Sequence, residues 1–312
     1  MNILVDALNI AFRSHHVYDV KQGLTTSEGI PTGLVYGFLQ TLAKWKRKYP
    51  HHDMTVVWDR PGGKEWRQEI VPEYKANRPS SPAPAPGGEV GDSEETFDIF
   101  AYQVNLLHNI LPHLGVHQAS APGREADDVI AYLCREMYAD VHNIILTSDR
   151  DLLQLVTTRT VLATPDDKFY DVDKVVEEYG VIPEKLVHLR ALFGDTSDNL
   201  PGIPRFRKKV AARLVNEHGS VDSIYNQPVT ELGLTKKESE KLAAFQEQAR
   251  KNLQVMGLLS EMTPLDYRTG SYNQNEINTM CDTLEFKTIR NRLLEAFNSQ
   301  QGFLKHVLYP TD

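Results

Sequence analysis

Residues 2–6 read Asn2-Ile3-Leu4-Val5-Asp6, an apolar run closed by an acid. A run this short, rich in branched side chains, reads as a buried strand. The pattern recurs at 54–59 (MTVVWD) and at 143–149 (NIILTSD). Helical spacing fills the intervals. Pro31 stands at a first helical position, and Leu34, Val35, Phe38, Leu42 and Trp45 follow at helical period up to Tyr49. Thr96–Leu111 and Ala126–Met137 are also helical in period, Gly115–Gln118 is strand-like, and a short helix starts from Arg150. Strands alternating with helices predict an α/β fold, a wound and mostly parallel sheet with flanking helices. Such sheets bind ligands at the carboxyl ends of their strands. Asp6, Asp59 and Asp149 are therefore expected to converge, although they are far apart in sequence.

Other acids join them. Glu125, Asp127 and Asp128 open a helix, Asp151 lies two residues past Asp149, and the loop 194–199 (GDTSDN) adds Asp195 and Asp198, which makes nine carboxylates. Any one of them is equally well explained as a helix first-turn acid or a turn cap. The set is harder to explain that way. Two like charges about 4 Å apart repel by roughly 4 kcal/mol at an effective dielectric near 20, against a total stability of about 5–15 kcal/mol. Bound cations would relieve the repulsion. Oxygen donors without His or Cys at ligand spacing favour Mg²⁺ or Mn²⁺ over zinc. His113 and His117 are four apart, but Gly115 lies between them, so no zinc site is expected there.

The chain has 312 residues, 41% of them hydrophobic and 24% charged, which suits a globular protein of one large or two ordinary domains. It contains no apolar run of about 18 residues, and MNILVDALNI has no basic segment ahead of an apolar one, so neither a membrane span nor a secretory signal is expected. Two distant cysteines, Cys134 and Cys281, suit a reducing compartment. The net charge of −8 argues against a nucleic-acid binder, but its distribution argues for one: residues 203–213 hold five basic side chains and no acid, and Ala43–Tyr49 holds four more. Residues 79–96, dominated by Pro, Gly, Ser and acids, read as an extended loop. After about residue 182 the pattern is helical (183–193, 206–218, 221–225 and 235–259), with a boundary near 180. Residues 263–312 carry no legible motif; 285–297 reads as a helix, with the end expected to be a loose tail.

Six linked motifs stand in order: ILVDALNIAFR, PTGLVYGF, VVWDRPGGKEWRQEIVPEYKANR, READDVIAYL, ILTSDRDLLQLV and LFGDTSDNLPGIP. Through them the chain resembles, over roughly residues 1–260, the bacterial and phage 5′→3′ exonuclease family, relatives of flap endonucleases and of the 5′-nuclease domain of bacterial DNA polymerase I. The resemblance implies a PIN-like catalytic domain at 1–180 with a helical arch at about 61–96. It also implies a helical C-terminal region at 181–312 with a helix–three-turn–helix. It assigns Asp6, Asp59, Glu125, Asp127 and Asp128 to one metal, and Asp149, Asp151, Asp195 and Asp198 to a second. The ions would be two Mg²⁺, with Mn²⁺ as a substitute. Lys75 and Arg78, in the motif YKxxR, would reach the scissile phosphate. Arg67 and Arg13 match further basic positions near the active centre. Tyr36 matches a base-stacking position, with ordinary helix packing as the alternative. Arg205, Arg207, Lys208 and Lys209 would grip duplex DNA beside a K⁺ ion, but here arginines replace the glycines of the usual turn.

The implied activity is structure-specific hydrolysis of DNA with a free 5′ end or 5′ flap, in replication or repair. Products would carry a 5′-phosphate and a 3′-hydroxyl. The expected setting is a monomer in the cytoplasm of a bacterium, or of a host cell for a phage-encoded chain. The rival readings are a PIN-like ribonuclease, a non-catalytic DNA-junction binder and a Mg²⁺-dependent phosphatase.

Overall fold

The computed structural model describes residues 1–77, 95–259 and 264–298. Its centre is β1 (Asn2–Asp6). β2 (Asp53–Val57) and β4 (Asn143–Leu146) flank β1 in parallel, and β3 (His117–Ser120) and β5 (Thr160–Ala163) extend the parallel run on either side. β6 (Phe169–Tyr170) and β7 (Asp266–Arg268) close the two edges antiparallel, giving seven strands in the order β6-β5-β4-β1-β2-β3-β7. The expected strand near 115–118 begins two residues late because Gly115, at φ 73°, ends the preceding helical turn in the left-handed region.

Around the sheet stand α1 (Ala7–Ser14), α2 (Gly33–Lys48), α3 (Glu65–Ile70), α4 (Glu95–Ile110) and α5 (Ala126–Tyr132). Then follow α6 (Val172–Tyr179), α7 (Pro183–Phe193), α8 (Lys208–His218), α9 (Val221–Tyr225), α10 (Lys236–Ala244) and α11 (Gln246–Met256). The described chain ends with α12 (Gln274–Thr283) and α13 (Lys287–Phe297). No helix of the described residues is long and apolar enough to cross a membrane.

Strand alternation builds two cores. Ile3, Val5, Met54 and Val56 face one way, where Leu34, Phe38, Leu42 and Trp45 of α2 meet Ile289 and Leu293 of α13. Leu4, Val57 and Ile145 face the other way, against Val129 and Ile130 of α5 and Leu186 and Leu189 of α7. Each fully buried side chain of this size contributes about 1.5–3 kcal/mol, so both faces hold the sheet edge in place. α2 begins where Asp19 accepts from the Gly33 amide (2.7 Å) and the Leu34 amide (3.0 Å), an anion at a helix N-terminus.

The segment without a legible motif returns to this sheet. β7 pairs with β3, and α13 packs on α2. α11 of the helical region is tied to this body where Arg67 Nε donates to the Val255 carbonyl (2.9 Å) and Gln154 Nε2 to that of Met256 (3.2 Å). Within the region, Asn252 of α11 joins it to α7. This residue is fully buried, and its Nδ2 donates to the carbonyls of Ala191 (3.0 Å) and Pro201 (2.7 Å).

Candidate active site

β1, β2 and β4 deliver Asp6, Asp59 and Asp149 to one edge of the sheet. Asp6 also caps α1, accepting from the Asn9 amide (3.3 Å), and it accepts from Thr147 Oγ1 (2.7 Å). Asp59 accepts from the Ala126 amide (3.2 Å), which brings the start of α5, and so Asp127, to the same edge. Asp149 accepts from the Asp151 amide (2.8 Å). Burial, then the neighbouring Asp59, raises the Asp6 carboxyl to about 7. Burial with Glu125 raises Asp59. Burial with Asp149 and Asp6 holds Asp127 well above the ordinary carboxylate range. The convergence expected from the sequence is therefore present, and burial with like-charged neighbours raises these carboxyls.

A second group lies beside it. Carboxylate oxygens of Asp151, Asp195 and Asp198 all lie within 4.8 Å of one another. Asp195 and Asp198 sit on the loop after α7. Its shape depends on Gly194 and Gly202, where an added Cβ would stand 2.3 Å from the Leu200 carbonyl oxygen and 1.7 Å from that of Phe193. Arg190 of α7 bridges Asp151 and Asp195. Burial and Asp149 still raise Asp151 to about 7. Asp195 is lowered: burial opposes this, but the Ser197 hydroxyl and amide (2.6 and 2.8 Å) and Arg190 outweigh it.

Two further acids expected as metal ligands carry cationic partners: Asp128 is held by Arg67, while Glu125 stays beside the group, where it raises Asp59 and Asp127, and pairs with Arg67 and Lys75. Asp128 is fully buried; its two oxygens accept from Arg67 (2.8 and 2.9 Å), and Oδ1 also accepts from the Leu259 amide (3.1 Å). These donors occupy both Asp128 oxygens, and the Arg67 Nη1 that donates to one of them also donates to Glu125. Glu125 accepts from Arg67 (2.7 Å), Tyr74 Oη (3.2 Å) and Lys75 Nζ (2.5 Å). Burial pushes its carboxyl up, but Lys75 and Arg67 bring the net shift down.

The expected role of Arg67 as a cation near the reacting phosphate is likewise corrected. It is 2% exposed, and its Nε donates to the Val255 carbonyl (2.9 Å), so it is a buried counter-ion that ties α3 to α5 and α11.

Lys75 does face the acids. It takes a left-handed φ of 54°, rare for a side chain other than glycine, and its amide donates to the Asp198 carbonyl (3.0 Å). Burial opposes its charge, but Tyr74 and Glu125 hold its pKa well above the ordinary lysine value. Its partner in the motif, Arg78, lies outside the described residues, as does most of the expected arch and its loop. Thr147, Tyr74 and Arg190 were not singled out in the sequence. Arg190, five residues before Asp195, had no signal beyond that spacing.

The remaining expected DNA contacts differ in kind. Arg205, Arg207, Lys208 and Lys209 are all exposed. Arg207 pairs with Glu238 (2.7 Å), and Lys208 Nζ lies 4.4 Å from the Tyr179 ring centre. Arg205, where the usual turn has glycine, has φ 53°. Lys241 Nζ donates to the carbonyls of Pro204 (2.8 Å) and Arg205 (3.3 Å), placing an ammonium at the turn where a K⁺ ion is implied. Arg13 is half-exposed and pairs with Asp166. Tyr36 is half-buried, and its ring meets Tyr18 (5.4 Å) and Phe286 (5.6 Å) edge-on, which favours the packing reading over base stacking.

A family model described as the N-terminal resolvase-like domain of 5′-3′ exonucleases matches residues 1–180, and its C-terminal SAM-fold counterpart matches 181–280. The chain belongs to the 5′-3′ exonuclease family. Within the family it is 34% identical over 226 residues to a 5′-3′ exonuclease of Buchnera aphidicola, covering 72% of this chain and 68% of that one. It is 33% identical over 301 residues to the thermostable DNA polymerase I of Thermus thermophilus, covering 94% of this chain and 33% of the relative. The chain thus spans about a third of the length of the polymerase relatives it matches. Its fold is similar to that of the T5 5′-exonuclease solved with divalent zinc ions (TM-score 0.63, 21% identity, covering 95% of this chain and 98% of that one).

Proposed function

We propose that this family member is a divalent-metal-dependent 5′ nuclease that hydrolyses DNA phosphodiester bonds at a free 5′ end or a 5′ flap. The observation that carries this reading is the crowding of Asp6, Asp59, Asp127 and Asp149 against Asp151, Asp195 and Asp198 on one sheet edge, with Asp6 and Asp151 raised to about 7. The donors are all hard oxygens, which fits Mg²⁺, with Mn²⁺ as a substitute. Asp6, Asp59 and Asp127, with Glu125 beside them, would hold one ion, and Asp151, Asp195 and Asp198 a second. Asp149, which the resemblance gives to the second ion, is grouped here with the first because it lies against Asp6 and Asp127 and outside the close trio of the second. Such a pair, when bound, supplies an activated water and neutralises charge on the phosphoryl oxygens.

The chain's own groups do the rest. Thr147 and the Asn9 amide fix the Asp6 carboxylate. Lys75, held by Glu125 and by the Asp198 carbonyl, keeps a permanent positive charge beside the acids, where negative charge develops during hydrolysis. The exposed basic residues at 205–209 would hold the duplex through its phosphates, giving steep salt dependence. Unpairing the terminal nucleotides costs a few kcal/mol, so frayed ends and flaps should be cut faster. Cleavage leaves a 5′-phosphate and a 3′-hydroxyl. We place the protein, as a monomer, in the cytoplasm, in replication or repair; both its cysteines are buried free thiols.

The test is a 5′-flap duplex labelled at the 3′ end of the flap strand, incubated with Mg²⁺ or with EDTA, beside an Asp149→Asn/Asp151→Asn variant. Mg²⁺-dependent cutting near the junction, lost in the variant, is the expected result; a ladder shortened from the 5′ end would weight exonuclease over flap cleavage. Faster cutting of RNA flaps would favour a ribonuclease. Binding without cutting in either Mg²⁺ or Mn²⁺ would overturn catalysis in favour of a junction binder.

A further inference from the structure

A cavity of about 290 Å³ lies between α1, α2, the β5–β6 loop and α13, lined by Arg13, Lys44, Arg47 and Arg292 together with Tyr18 and Gln40. In a chain of net charge −8 this is a concentration of cations. Lys48 stands beside it and shares Asp167 with Lys44 (3.2 and 2.5 Å), while Arg13 pairs with Asp166. Arg47 and Arg292 are exposed and make no ion pair among the described residues. Five cations thus meet two carboxylates, and two guanidiniums are left uncompensated at the cavity wall. Lys44 Nζ is further fixed by the Pro165 carbonyl (2.9 Å), so part of the wall is already ordered.

The chemistry of this wall fits a phosphate group: bidentate guanidinium donors and an ammonium, with no spare carboxylate. It does not fit a stacked base. Tyr18 is the aromatic ring at the wall; it packs edge-on against Tyr36 (5.4 Å), and an added Cβ on Gly37 would stand 2.4 Å from its Cδ2. Its hydroxyl donates to Gln40 (2.7 Å). Position also matters. Asp6 caps the start of α1 and Arg13 lies seven residues on, about 10 Å along a helix axis, or roughly three base steps of one DNA strand.

We infer that this cavity is a second backbone-phosphate subsite for the DNA substrate, about three base steps from the carboxylate edge and separate from the basic run at 205–209. It rests on the reading that the substrate is DNA. It gives α13, which the sequence left unassigned, a contact with that substrate through Arg292.

The test is an Arg47→Gln/Arg292→Gln double variant. Both side chains are exposed and make no ion pair among the described residues, so the melting temperature should stay at the wild-type value. Binding of the full chain to a 5′-flap DNA is followed by fluorescence anisotropy in EDTA across a salt series. The slope of log K against log salt should become shallower by about 2, because each phosphate that the protein no longer neutralises removes close to 0.9. Trimming the DNA by a few base pairs from the arm that reaches the cavity should abolish the difference between wild type and variant. An unchanged slope, with both proteins binding DNA, overturns the subsite. Inorganic phosphate and a mononucleotide are titrated in parallel; if either binds wild type but not the variant while the DNA slope is unchanged, the occupant is a small anion and the inference fails. If neither protein binds DNA, the nuclease reading itself has failed, a different result from an unchanged slope.

Discussion

The two groups of carboxylates lie side by side but are balanced differently. The inner group, Asp6, Asp59, Asp127 and Asp149, grows from strand ends and the start of α5, and the cation that reaches it, Lys75, is held by Glu125. The outer group, Asp151, Asp195 and Asp198, carries Arg190 as its own counter-ion. Asp195 accordingly stays ionised, whereas Asp6 and Asp127 are pushed toward neutrality. Asp149 couples the halves, because it raises Asp127 on one side and Asp151 on the other. Three carboxyls of the inner group are raised, Asp6, Asp59 and Asp127, against Asp151 alone in the outer one, and we expect a divalent ion to gain more by binding the inner group.

Asp127→Asn should have the largest effect, with single-turnover cleavage of a flap DNA falling about 10³-fold, near 4 kcal/mol of transition-state stabilisation. The same variant should melt at a higher temperature than wild type in EDTA, because a repelling charge has gone. A large loss of activity with a lower metal-free melting temperature would contradict the stored repulsion.

Arg67→Ala should cost about 3–5 kcal/mol in urea unfolding, since it strands Asp128 as a buried charge without its partner. Arg67→Lys should recover part of this, because an ammonium cannot reproduce the two-pronged contact. An effect on cleavage without an effect on stability would return Arg67 to the reacting phosphate.

The pH dependence follows from the raised carboxyls. The unfolded Asp6 and Asp151 ionise near 3.8 and the folded ones near 7. The folded state therefore binds more protons in that window, and metal-free stability should fall as pH rises from about 4 to 7, then level off. A tenfold change in a group's ionisation constant on folding corresponds to roughly 1.4 kcal/mol. Saturating Mg²⁺ should flatten the curve. His108, which burial lowers to about 4 while it packs on Trp58 and Gln118, acts oppositely by losing stability as pH falls below 6.5. It contributes equally with and without metal, so the difference between the two melting curves isolates the carboxylates. Arg190→Gln is the mildest change: metal affinity of the outer group should rise about tenfold, roughly 1.4 kcal/mol, as the competing guanidinium is removed. Weaker binding would show instead that Arg190 organises the ligands.

Much of this was legible in the sequence because β1, β2 and β4 announce themselves as short apolar runs ending at an acid, and a parallel sheet has one carboxyl edge. β5 (TVLA) and β6 were missed because runs of four and two residues carry too little pattern, and β7 (DYR) because pairing with β3, not its own apolarity, makes it a strand. The roles of Asp128 and Arg67 were misread for a different reason. Spacing places a charged residue near a site, but only packing decides that Arg67 turns inward and occupies Asp128. Arg190 shows the converse, an ordinary helical arginine whose position on α7 makes it part of the site.

We expect these acids to form two unequal divalent-cation sites on one sheet edge. Titration of the full chain with Mn²⁺, followed by electron paramagnetic resonance without DNA, tests it most directly. Two classes of bound ion are predicted, the tighter lost in Asp127→Asn and the weaker in Asp195→Asn. A wild-type protein that binds no Mn²⁺, or whose binding survives both substitutions, would contradict it.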